Sequence, residues 1–152
     1  MIYNDLVKLA EEWLRESSSL DTKPYLNSCG AVISGSGNSA TEKPYAIGFT
    51  SGISILIECK LNHSDFAVGK RKTVHLDSGD MGDYKFYLIP KGLVKTDNIP
   101  AKYGLLEVEN NLISIVREPE FIGGHKESEV ALLASVVRRF QKKSRTKNKW
   151  HE

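Results

Sequence analysis

The sequence predicts an α/β (α+β) fold, a mixed β-sheet flanked by helices. Three observations carry this. Short segments rich in isoleucine, valine, tyrosine and phenylalanine recur between turn-forming residues, which is how strands read. Two longer stretches, near the two ends of the chain, repeat apolar residues at helical spacing. The order helix, three strands, helix, strand, strand pair, helix suits helices packed on the faces of one sheet.

Residues 2–17 read as an amphipathic helix, with Asn4 or Asp5 as cap and Leu6, Leu9, Ala10, Trp13 and Leu14 as its apolar stripe. A serine-rich loop follows, then a short strand over 28–33 and a glycine- and serine-rich turn segment over 34–41. That segment lacks the Gly-Lys-Ser/Thr of a phosphate-binding P-loop. Residues 45–50 and 53–60 form a hairpin across Ser51 and Gly52. A short helix is expected over 66–72, and a surface loop over 73–82. Residues 83–90 make a strand ended by proline. After a polar connection, 103–109 and 112–117 form a second hairpin across Asn110 and Asn111. The last helix spans 127–143, with Val130, Leu133, Ala134, Val137 and Phe140 on one face.

The chain has 152 residues, 40% of them hydrophobic, which suits one domain with one core. The expected division is a domain over 1–143 and a basic, flexible tail over 144–152. No apolar run reaches the ~20 residues needed to span a bilayer, and no signal peptide is evident. A cytoplasmic protein without a membrane partner is expected. Cys29 and Cys59 are not closely spaced and read as buried free thiols. Net charge is only +2, yet residues 138–149 hold seven basic residues and no acid, leaving the remainder net acidic. A basic end on an acidic body points to a polyanion partner; a solubilising, frayed terminus is the plainer alternative.

The stretch Ile-Ser-Ile-Leu-Ile-Glu-Cys-Lys over 53–60 carries the most chemistry. Strand alternation puts Leu56, Glu58 and Lys60 on one face. A carboxylate there can hold a hard cation, and a lysine can steady a water or a developing phosphate charge. The other reading is a solvated pair at a strand end.

Several segments together resemble small phage and bacterial members of the PD-(D/E)xK nuclease-like superfamily. They are Glu58-x-Lys60, Ser64-Asp-Phe66, Lys70-Arg-Lys72, the run from Met81 to Pro90, Gly92-Leu93, Ile99-Pro100 and Gly104-Leu-Leu. The resemblance covers about 44–140 and implies a restriction-endonuclease-like core and hydrolysis of phosphodiester bonds in DNA or RNA with magnesium or manganese. It implies Glu58 as metal ligand and Lys60 as catalytic lysine, with a helix acid from Glu11, Glu12 or Glu16, of which Glu12 is carried forward. The chain departs from the pattern at Tyr45, which stands where the group has a strand aspartate. A neutral tyrosine is a poor magnesium ligand. Glu42 is the candidate replacement; Asp65 reads first as a helix cap.

Lys70, Arg71, Lys72, Arg138 and Arg139 are the candidate nucleic-acid contacts. No histidine pair or Cys/His set has zinc spacing, and His63 alone, near Lys60, qualifies as a general base. Tyr84, Phe86, Tyr87 and Tyr103 read as sheet packing rather than base-stacking platforms. Two functions follow: a metal-dependent nuclease, or a degenerate nuclease fold that binds nucleic acid or a protein partner without cutting. A subunit of a larger assembly, docking through its basic end, is a third.

Overall fold

The computed structural model describes residues 1–16, 25, 28–35, 44–64 and 81–149, with side chains to 145. Its α+β fold is a six-stranded mixed sheet with two helices packed on it. The elements are α1 (Tyr3–Glu16), β1 (Ala31–Gly35), β2 (Tyr45–Thr50), β3 (Ile53–Cys59), β4 (Tyr84–Pro90), β5 (Gly104–Glu109), β6 (Leu112–Arg117) and α2 (Lys126–Lys149). The strands lie in sequence order, and only β3–β4 and β4–β5 are parallel. Both expected hairpins form. Ser51 and Gly52 in one turn, and Asn110 and Asn111 in the other, take the positive φ that two-residue hairpin turns require.

Strand alternation sorts the sheet into two faces. Leu6, Ala10 and Leu14 of α1 pack on Ala46, Ile55, Ile57, Cys59, Phe86, Leu88 and Leu106. Gly48 lets this layer close: a Cβ there would meet the Cys29 sulfur at 2.5 Å. The opposite face has two apolar clusters. Tyr45, Ile47, Leu56 and Met81 gather with Leu132 of α2. Tyr87, Ile89, Leu105 and Ile99 gather under the β4–β5 crossover, which contains a 3-10 turn over Thr96–Asn98. The Arg117 guanidinium, donating to the carbonyls of Tyr103 and Thr96 at 2.9 and 3.0 Å, ties that crossover down.

Several expectations change. The first strand is Ala31–Gly35, displaced toward the C-terminus from 28–33. Residues 66–72 lie outside the described residues. Of the expected surface loop, 73–80 also lie outside them, and Met81 and Gly82 are buried. The last helix runs on to Lys149, through most of the stretch expected to be a flexible tail. Its expected apolar face is only partly packed: Leu133 and Ala134 are half-buried, but the rest of that face is open. Val130, Val137 and Phe140 are 62, 52 and 68% exposed, because α2 packs through Glu129 and Leu132 instead. The spacing of these residues predicts the helix; it does not say which side the sheet covers. Cys29 and Cys59 are buried free thiols, pushed up to about 11 and about 12 by burial. No helix among the described residues is long and apolar enough to cross a membrane.

This packing makes opposite predictions for two apolar helix residues. Leu14→Ala removes a side chain that is 1% exposed and should cost about 2–5 kcal/mol in urea unfolding. Val137→Ala should change stability by no more than about 0.5 kcal/mol.

Candidate functional site

Glu58 and Lys60 end β3 on the face away from α1, as the alternation requires. Both are buried, at 6 and 1% exposed, and their charged groups are 3.6 Å apart. Strand register lines up their neighbours. Tyr45 of β2 and Tyr87 of β4 each stand directly opposite Glu58. The Lys60 ammonium sits 5.0 Å from the centre of the Tyr87 ring, a cation–π distance. Tyr87 meets Tyr103 edge to face at 5.2 Å, and the Lys85 ammonium lies 5.7 Å from the Tyr103 ring. Lys85 is 6% exposed. The site is therefore a stripe of one carboxylate, two lysines and three tyrosines, buried except for the half-buried Tyr103.

The stripe shifts its own tyrosines. Burial, then the Glu58 charge, raise the Tyr103 phenol to about 12, and the Tyr87 phenol rises further from the same causes plus Tyr103. Both stay protonated at neutral pH and can donate hydrogen bonds. Tyr45 is accommodated because its β1 partner is Gly35. A Cβ on Gly35 would sit 2.3 Å from a Tyr45 ring carbon and 2.8 Å from its hydroxyl.

Among the described residues this set offers a divalent cation one carboxylate, Glu58. Magnesium takes oxygen ligands and commonly only one or two protein carboxylates, keeping several waters. Here the single carboxylate is already beside an ammonium, and the position opposite is a phenol. Among the described residues no cluster of three acids, histidines or cysteines could hold a metal. The structure also does not bring Glu12 to Glu58. Glu12 is exposed on α1, and α1 covers the other face of the sheet; Glu11 is paired with Arg15 on the same helix. Glu42, Asp65, Lys70, Arg71 and Lys72 lie outside the described residues. His63 is exposed, and Arg138 and Arg139 are exposed on α2.

Sequence reasoning missed Lys85, although a lysine inside the apolar run Tyr-Lys-Phe-Tyr-Leu-Ile was a signal. It also missed a second buried cluster that docks α2. Glu129 accepts from the Ser54 hydroxyl at 2.8 Å and from the Gly82 amide at 2.9 Å. Asp83 accepts from the amides of Ser54 and Gly124 at 3.0 and 2.8 Å. Lys126 bridges both acids, at 2.7 Å to Asp83 and 3.1 Å to Glu129. A Cβ on Gly124 would lie 2.3 Å from Glu129, so glycine is what lets the strand and helix close here. Burial by itself would raise the Asp83 carboxyl, but hydrogen bonds from Lys126, Ser54 and Gly124, with the Lys126 charge, hold it below the usual carboxylate range. Each polar group in this cluster is met by another, which makes it a structural clamp.

No family model and no curated protein matches the chain. Among solved structures, a protein of unknown function from Silicibacter pomeroyi is similar in fold. It is 21% identical, with a TM-score of 0.47, over 65% of this chain and 67% of that one.

Two predictions test the site and the clamp. Glu58→Gln leaves Lys60 buried without its carboxylate and should cost about 3–5 kcal/mol, measured by urea unfolding; Glu58→Leu with Lys60→Leu should recover much of that. Asp83 is depressed in the folded state, so on acidification the unfolded chain takes the proton first. Its stabilisation is complete above about pH 4 and is lost as pH falls through the folded value. Asp83→Asn should be less stable near pH 7 and should flatten the acid limb of the unfolding curve.

Proposed function

We propose that this chain is a PD-(D/E)xK-like nuclease fold that binds nucleic acid without cutting it, in the cytoplasm of a bacterial or phage-infected cell. The observation that carries the reading is Tyr45 directly opposite Glu58, where the resemblance calls for a second acid. With Lys60 at 3.6 Å, Glu58 is part of a buried ion pair and poorly placed to take a metal. Polyanion binding is supported by α2, whose only acids, Glu127 and Glu129, are in its first turn. Arg138, Lys142 and Arg145 recur at i, i+4 and i+7, so they form one exposed cationic stripe. Such a stripe contacts phosphates, which give affinity without sequence preference.

The second reading is a magnesium- or manganese-dependent nuclease. Glu58 and Lys60 sharing one face favour it, and it requires Glu42 to complete the carboxylate set. One experiment separates the two readings. Labelled single- and double-stranded DNA and RNA are titrated with protein across a salt series, then incubated with magnesium or manganese. The expected result is salt-sensitive binding and no cleavage, with Arg138→Glu plus Arg145→Glu lowering the salt slope by about two. Metal-dependent cleavage that Lys60→Ala abolishes would replace the first reading with the second. Failure to bind any of the four would contradict both.

A further inference from the structure

We infer that the groove between β1 and the C-terminal half of α2 docks an extended, acidic segment of a partner protein, which adds as a strand to β1. This goes beyond the nucleic-acid reading and uses a different side of α2.

β1 is an outer strand, and among the described residues it pairs on one side only, with β2. An outer strand presents a row of backbone donors and acceptors, which is the template for strand addition. α2 passes alongside and leaves a groove of about 240 Å³, lined by Val32, Ile33, Val136 and Phe140, with Arg139 and Lys143. Phe140 is 68% exposed, and a docked apolar side chain would cover it. The volume is below the ~300–1,000 Å³ of pockets for drug-sized molecules. It suits side chains entering one at a time from a strand, whose alternate residues would point at α2.

Charge selects the occupant. Both polar residues of the groove are cationic, and α2 has no acid beyond its first turn. A strand with acids two residues from its apolar residues would present both to α2, meeting Arg139 and Lys143 while filling the space by Phe140. Nucleic acid matches the cations but gains nothing from Val32, Ile33 and Val136. Helical geometry separates the functions, since Arg139 and Lys143 face the groove and Arg138, Lys142 and Arg145 form the neighbouring stripe.

The test uses the full chain and a fluorescein-labelled peptide repeating Val-Thr-Glu-Thr, which puts valine and glutamate on one strand face, read by fluorescence anisotropy. The expected result is saturable binding, weakened about tenfold or more by Phe140→Ser and by Arg139→Glu, and unchanged by Lys95→Glu, an exposed cation on the crossover. The same peptide methylated on every backbone nitrogen should not bind, because strand pairing needs those donors. Phe140 and Arg139 are exposed, so circular dichroism should show both variants folded. Absence of saturable binding overturns the inference. So does equal affinity for polyglutamate or for the methylated peptide, which would mean charge capture without strand addition. Nucleic-acid binding measured on the same samples separates failure of this site from failure of the polyanion reading.

Discussion

The register of β2, β3 and β4 sets the chemistry of this molecule. It places Tyr45, Glu58 and Tyr87 in one row across the sheet. A one-residue slip would send Glu58 to the α1 face and bury it among Leu6, Ala10 and Leu14. Ile55, Ile57 and Cys59 on that face lock the register, because a slip would withdraw all three from the layer under α1. The buried charges on the opposite face follow from this. Removing an ion from water is expensive, so Glu58 and Lys60 persist in the interior as a pair.

The second helix is held by polar contacts more than by apolar area. Glu129, Asp83, Lys126 and the Ser54 hydroxyl form a closed set at one end of α2, and Leu132 adds an apolar contact. The rest of the helix extends along the β1 edge with valine and phenylalanine exposed. An anchored start and an open end leave a basic, partly apolar arm beside an outer strand. Both proposed interactions of the molecule use that arm, on different sides.

Much of the sheet was legible because strands announce themselves locally. Alternation in residues 53–60 placed Glu58 and Lys60 together, and the Ser51-Gly52 and Asn110-Asn111 turns fixed two hairpins, all within a few residues of chain. What was not legible depends on distant partners. Glu129 reads as a solvated acid in a first helical turn, and only its contacts with Ser54 and Gly82 reveal a clamp. Glu12 was a reasonable helix acid until α1 was seen on the wrong face for Glu58. The stripe from Val130 to Phe140 obeyed helical spacing, but spacing does not say whether a sheet lies beneath it. Lys85 was visible in the sequence as a charge in an apolar strand, and its kinship with Lys60 required the β3–β4 pairing.

The proposed reading turns on Tyr45 standing opposite Glu58, where a second carboxylate would help hold a divalent metal. The most direct measurement is manganese binding followed by electron paramagnetic resonance, in the wild type and in Tyr45→Asp. The account predicts no saturable binding by the wild type and a new, Glu58-dependent site in the variant. Saturable binding by the wild type that disappears in Glu58→Gln would contradict it.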